Sequence, residues 1–346
     1  MIRFIVKGLL RDKHRSLLPV IVVALGVMLT VLLHSWITGV MGDSIDFNAR
    51  FATGHVKIMT KAYAENSAQN PNDLALINTE ELMDQLNQDY PDMVWVERIH
   101  FGGLIDVPDN TGETRTQGPA VGLAVDLLSE TTQEIERLNL ISSIVRGSLP
   151  DSQGEIMISD EFAQNLDVYP GDQVSLISST MYGGMAIYNF EISGTVRFGT
   201  RVMDRGSIIV DIRDARIALD MMDASGEILG FFEGEHYIHE KAAMLANEFN
   251  QKYSEPGNEY SPKMLTLRDQ SNMSLLLDYT DVFSALIVSV FILAMSIVLW
   301  NAGLLGGLRR YGEVGVRLAL GETKGHIFRS MINESFVIGL VGSVLG

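Results

Sequence analysis

The sequence predicts an α+β membrane protein in which a large mixed α/β domain is inserted between the first and second transmembrane helices. Three observations carry this expectation. Val282–Leu308 holds no charged residue, and Ser16–Phe47 holds none except Asp43 and Asp46. At about 1.5 Å per residue, either run crosses a hydrocarbon core of about 30 Å as a helix. Between them lies a long polar stretch. The mean hydropathy is +0.16 although 20% of residues are charged, which is the mark of apolar spans joined to a polar body.

Charge distribution orients the spans. The chain has 26 basic and 43 acidic residues, net −17. Residues 1–16 hold Arg3, Lys7, Arg11, Lys13 and Arg15 against Asp12 alone. Residues 309–333 hold Arg309, Arg310, Arg317, Lys324 and Arg329 against Glu313 and Glu322. Short basic flanks stay in the cytoplasm, so both ends face inward and residues 41–281 lie outside. That acidic middle argues against nucleic acid and anionic headgroups as partners. With no cysteine, disulfides, zinc–thiolate sites and thiol catalysis are excluded.

Leu17–Val40 is the first span. Its apolar core is longer than that of a signal peptide and no small-x-small site follows it, so an uncleaved helix is expected. Pro19 falls in its first turn, and Trp36 and Trp300 suit interfacial positions. Asp43–Thr53 and Leu267–Asp281 can continue the two spans outward as stalk helices. Between them, His55–Met59 alternates as a strand. Thr79–Asp89 predicts a helix capped by Thr79. Strands follow at Val94–Ile99 and Gly103–Val107, a turn at Asp109–Gly112, then a strand at Ala120–Val125. A helix over Glu130–Leu140, a strand at Glu155–Ser159 and a helix at Asp160–Leu166 come next. Gln173–Ile177, Ala186–Val196 and Ser207–Val210 form a β-rich middle. A helix over Asp214–Met222, then a short strand mixed with a helix over His236–Tyr253, precede a polar loop, Ser254–Pro262.

Motifs for enzyme chemistry do not emerge. A phosphate-binding loop needs G-x-x-x-x-G-K-[S/T], and the dipeptide Gly-Lys does not occur in this chain. The chain is therefore not read as its own ATPase. His236 and His239, beside Glu235 and Glu240, do not follow a zincin order, so no metal site is expected. No Gly-x-Ser-x-Gly elbow is present.

After Leu308 the character changes abruptly. Residues 309–321, RRYGEVGVRLALG, form a short charged amphipathic segment with a glycine stop. Glu313 and Arg317 stand i, i+4 in the order that favours a helical ion pair. Val314 and Leu318 share a face that can enter a partner's groove. Gly321 can end the helix at positive φ, and Thr323 can cap the next one. On these residues alone, a lipid-touching basic anchor and a docking helix for a partner fit equally well.

The order Glu313-Val-Gly-Val-Arg317-Leu-Ala-Leu-Gly321, with Glu334 thirteen residues on and an apolar run after it, resembles the signature of FtsX-like ABC transporter permeases. Ala52-Thr-Gly54-His55-Val56-Lys57-Ile58 and Tyr63 are similar to the start of the external domain in the lipoprotein-releasing (LolC/LolE) branch. Arg146-Gly147, Ile156–Ser159, Ala163, Leu166 and Tyr169-Pro170-Gly171-Asp172-Gln173-Val174 resemble the MacB-like periplasmic core domain.

The resemblance implies a permease subunit of the bacterial inner membrane that is not itself an enzyme and binds no cofactor, ATP being held by a separate cytoplasmic ATPase. It implies a coupling role for Arg310, Glu313, Val314, Arg317, Leu318, Ala319 and Gly321. A dimer with a second permease copy or paralogue is expected, as is a periplasmic carrier, adaptor or hydrolase as partner. The expected work is mechanotransmission for lipoprotein release or export of a lipophilic substrate; the alternative is an FtsX-like regulator that activates a cell-wall hydrolase. The domain plan is 1–16 cytoplasmic, 17–40 first helix, 41–281 periplasmic core domain, 282–308 second helix, 309–333 coupling segment and 334–346 start of a third helix. Residues 282–346 would be an incomplete FtsX-like domain, because Ser335–Gly346 is too short to span. The chain is thus expected to be a fragment ending inside helix three.

Overall fold

A computed structural model of the chain describes residues 13–109, 111–234, 236–270 and 273–346. The basic residues Arg3, Lys7 and Arg11, the turn residue Asn110, and Glu235 lie outside the described residues. The chain divides into two units, Met1–Ser44 with Leu275–Gly346, and Ile45–Ser274.

Helix α1 (Lys13–Asn48) ends in a π turn over Ala49–Thr53, closed by Gly54 at φ +60°. The unit Ile45–Ser274 then builds a ten-stranded sheet. Its main elements, in order, are β1 (Val56–Thr60), α2 (Thr79–Asp89), β2 (Met93–Pro108), β3 (Thr114–Val125) and β4 (Ile144–Gly147). They continue with β5 (Glu155–Ser159), α3 (Asp160–Leu166), β6 (Gln173–Ser179), β7 (Met185–Val196) and β8 (Ser207–Asp211). Last come α4 (Ile212–Leu219), β9 (Glu227–Phe232), α5 (His239–Tyr253) and β10 (Pro262–Thr266).

The strand order is β10-β1-β9-β2-β3-β8-β5-β7-β4, and β6 pairs with both β2 and β7. The ladder β2-β3-β8-β5-β7-β6 thus returns to β2 and closes as a barrel, which removes its edges. Ile99, Phe101, Ile105, Phe190 and Ile208 belong to one buried core, together with Phe162 of α3 and Leu219 of α4. A second core lies where β1, β9 and the first half of β2 meet α2 and α5: Ile58, Trp95, Ile228, Leu86 and Phe249.

Strand β2 belongs to both cores, which is why it is long. Met93–Arg98 pairs with β9, and Leu104–Asp106 pairs with β6. The two strands expected here are therefore one. Gly102-Gly103 is not a break: a Cβ on Gly103 would sit 2.7 Å from the Ile177 carbonyl oxygen, so glycine is what lets β6 approach. Helix α2 has its predicted bounds, but Thr79 does not cap it. The Asp223 carboxylate does so from a distance, accepting from Glu80 N at 3.1 Å and Thr79 Oγ1 at 3.3 Å. The helix expected over Glu130–Leu140 is two single turns, Glu134–Arg137 and Leu140–Ser143, separated by Asn139 in left-handed conformation.

Gly230 of β9 lies between Val56 and Trp95 on the flanking strands. A Cβ there would lie 2.4 Å from the Trp95 ring and 2.8 Å from Val56 Cγ2, both in the packed core. Gly230→Ala is expected to cost about 1–3 kcal/mol as overpacking. Urea unfolding followed by tryptophan fluorescence measures it, and an unchanged midpoint would show that the Trp95 indole has room to shift.

Buried ions cluster around the second core. Lys57 Nζ meets Glu227 Oε2 at 2.5 Å, and His100 Nε2 meets Oε1 at 2.9 Å. Burial alone would raise the Glu227 carboxyl; the charges of Lys57 and His100 overcome it and hold it at about 2. Nearby, Arg98 Nε donates to Glu134 Oε2 at 2.8 Å, and Arg137 Nη1 pairs with the other oxygen. The Arg137 guanidinium lies 4.1 Å over the Phe231 ring. His55 accepts from Phe232 N at 3.0 Å through Nδ1, which leaves the Nε2–H tautomer.

The other unit contains α6 (Met273–Arg309), α7 (Tyr311–Ala319) and α8 (Lys324–Leu345) together with most of α1. Among the described residues, three stretches are long and apolar enough to cross a membrane: Leu17–Thr53, Val282–Asn301 and Lys324–Leu345. The third corrects the expectation of a run too short to span. Helix α8 starts at Lys324, so its 22 residues exceed the apolar tail counted from Ser335. Pro19 is interior to α1 and removes one helix bond there, because the helix already runs at Lys13. The stalk expected from Leu267 is a 3-10 turn over Leu267–Asp269, with the helix at Met273 onward. Helices pack closely at glycines, Gly26 against Met295 and Gly342 against Val23. His34 Nδ1 lies 3.1 Å from Ser284 Oγ on α6.

Candidate coupling site

The segment after the second apolar run folds as the sequence pattern requires. Arg310 is the non-helical joint, at φ −94° and ψ 3°, and α7 follows over Tyr311–Ala319. Its C-terminus is a Schellman motif. Gly321 N donates to the Leu318 carbonyl at 3.0 Å and Glu322 N to the Arg317 carbonyl at 3.1 Å, with Gly321 at φ +91°. Among the described residues no atom lies within 4 Å of a Cβ on Gly321, so the need for glycine is conformational. Thr323 caps α8 by accepting from His326 N at 3.4 Å.

The apolar residues of α7 fall on two sides, the Val314/Leu318 side that the sequence pointed to and a more exposed one. Val314 is half-buried and Leu318 is only 38% exposed, whereas Tyr311, Val316 and Leu320 are 81%, 61% and 83% exposed. Val316 and Leu320 stand i, i+4 and present an apolar ridge. Ala319 is exposed beside them. Arg317 Nε meets Glu322 Oε2 at 2.9 Å, so this arginine reaches across the Schellman turn as well as standing i, i+4 from Glu313. Arg310 forms a two-pronged pair with Glu334 of α8, one prong at 2.6 Å.

Periodicity missed two of these features. The Val316/Leu320 ridge was hidden because Val314 and Leu318 repeat at the same spacing, and only the packing of α7 tells the two faces apart. The Arg310–Glu334 pair joins residues 24 apart across a turn, beyond the reach of i, i+4 reasoning. Glu334, an isolated carboxylate heading an apolar run, was the available signal. In the other unit, His236 and His239 do not converge. His236 Nδ1 lies 3.4 Å from Asp46 Oδ2, and His239 Nδ1 lies 2.9 Å from the Tyr237 hydroxyl.

The family model described as FtsX-like permease C-terminal matches residues 285–346, a range that encloses α7, its Schellman turn and α8. The match is confined to this C-terminal stretch and leaves residues 1–284 outside it. Among solved structures, the chain is similar to the periplasmic region of MacB from Actinobacillus actinomycetemcomitans, at 10% identity and a TM-score of 0.44, over 68% of this chain and 98% of that one. No curated protein matches the sequence.

Proposed function

We propose that the chain is the permease subunit of an ABC transporter of the inner membrane. A separate cytoplasmic ATPase grips α7 and converts ATP hydrolysis into movement of the membrane helices. Helices α1 and α6 are continuous with the polypeptide of the head domain, Ile45–Ser274, and carry that movement to it. The work done there is the release or export of a lipophilic substrate, a lipoprotein in the finer reading, by a dimer of permeases. The observation that carries the proposal is an exposed apolar ridge on a short capped helix, inside the segment that matches the permease family.

Leu320→Asp is the decisive variant. Leu320 is 83% exposed, so the change costs the chain's own fold little while putting a charge into the proposed interface. Co-purification of an ATP-hydrolysing subunit with the tagged chain is expected to fall at least roughly tenfold, the effect of losing about 1.4 kcal/mol. Leu318→Asp and Arg317→Glu are expected to act in the same direction. Capture of the ATPase at undiminished yield by Leu320→Asp would rule out α7 as the grip. Photo-crosslinking from the head domain in intact cells then identifies the cargo, with lipoprotein as the expected adduct.

A further inference from the structure

We infer that α7 and α8 form one braced arm, that Arg310 and Glu334 are its clamp, and that the joint between α6 and α7 is the hinge. This rests on the coupling role proposed for α7 and assigns Arg310 a positioning task instead of contact with the ATPase.

Helix α7 is fastened to α8 at both ends. At its C-terminus the Schellman bonds, the Thr323 cap and the Arg317–Glu322 pair fix the turn. Glu322 also lies 3.4 Å from His326 Nε2, within the first turn of α8. At its N-terminus the Arg310 guanidinium, with side chain only 18% exposed, holds both oxygens of Glu334, itself 21% exposed. Glu334 lies ten residues into α8, about 15 Å along the helix at 1.5 Å per residue. A carboxylate that deep in a candidate membrane crossing is held in place by its counter-charge, and the planar arginine fork fixes direction as well as distance.

The connection to α6 is different. Gly306-Gly307 precedes Arg309, a Cβ on Gly307 would meet nothing within 4 Å among the described residues, and Arg310 leaves the helical conformation. A force applied to α7 therefore rotates the α7–α8 arm as a body about residues 307–310. The stroke enters the third helix first, and the second helix follows through the hinge.

The absence of native cysteine allows the test in the full chain. Spin labels are placed at Val316→Cys on α7 and Phe328→Cys on α8, both exposed, and a second pair joins Val298→Cys on α6 to Val316→Cys. Distances are measured in lipid nanodiscs without ATPase. The expected result is one narrow distance within the arm and a broader distribution across the hinge. Arg310→Ala and Glu334→Ala should each lose the narrow distance. Arg310→Lys, which keeps charge but not the fork, should recover it in part. The exchanged pair Arg310→Glu with Glu334→Arg should restore it, a rescue that a merely space-filling role would not produce. A narrow arm distance that survives both alanine variants, or an exchanged pair that stays broad, overturns the clamp. Because no ATPase is present, this outcome is independent of whether Leu320→Asp releases one.

Discussion

Glu134→Ala is expected to lower the unfolding free energy of the head domain by about 3–5 kcal/mol, the cost of stranding a buried charge. Arg98 is fully buried and Glu134 is 1% exposed. The Glu134 carboxylate receives Arg98 Nε at 2.8 Å on one oxygen and Arg137 on the other. Removing it leaves two guanidinium groups with no anion between them, and that of Arg98 is fully buried. Arg98 would suffer most: it belongs to the middle of β2 and cannot swing out without breaking the ladder to β9. Converting both members to apolar residues, Arg98→Met with Glu134→Leu, is expected to cost much less than Glu134→Ala alone, because desolvation is removed along with attraction. Urea titration of the full chain in detergent, with Trp36 and Trp300 replaced by phenylalanine so that Trp95 alone reports, gives both numbers. A loss below about 1 kcal/mol for Glu134→Ala, the range of exposed pairs, would mean that solvent reaches the site.

Such pairs also show where sequence reasoning reaches its limit. Spans and caps are local. The charge-free run Val282–Leu308, the strand Glu155–Ser159, the helix Asp160–Leu166 and the glycine stop at Gly321 could each be read from a few neighbouring residues, and the structure has them. Partners distant in sequence leave no such trace. Arg98 and Glu134 are 36 residues apart, and nothing in either neighbourhood announces the other. Barrel closure depends on β6 pairing with both β2 and β7, a fact of register and not of composition. Strand β9 was missed because Glu227–Leu229 is buried on both faces, which erases the alternation that marks a half-exposed strand. Strand β10 was missed: only its first residue, Pro262, fell in the expected polar loop, and a proline at a strand's start suits an edge position and little else in a sheet. At the coupling site the capped helix was legible, but its outward ridge was not, because two apolar pairs share one spacing.

Acidification is expected to destabilise the head domain in two separable stages. Burial pushes the His55 imidazole down to about 4, with Arg137 and His236 acting in the same direction and Asp46 opposing. Its ordinary value is 6.5, so between these limits the unfolded chain binds a proton that the fold refuses. Stability is therefore fully present above pH 6.5 and falls as the pH drops towards 4, by at most about 3 kcal/mol at 1.36 kcal/mol per pH unit. Structurally, protonating Nδ1 displaces the hydrogen bond from Phe232 N. Glu227 acts lower. Its ordinary value is 4.5 and its folded value about 2, so its contribution is complete above pH 4.5 and disappears as pH falls through 2. The groups that set the two values are different, Asp46, Arg137 and His236 for one and Lys57 and His100 for the other, so the stages should add. His55→Asn keeps an acceptor for Phe232 N but cannot titrate; it should flatten the stability profile between pH 6.5 and 4 and leave the lower limb intact. Glu227→Gln should flatten the lower limb only, at the cost of a weaker fold at neutral pH because Lys57 loses its counter-charge. Urea midpoints measured from pH 7.5 to 3 distinguish these outcomes, and a His55→Asn profile that still slopes between pH 6.5 and 4 would assign that stage to another group.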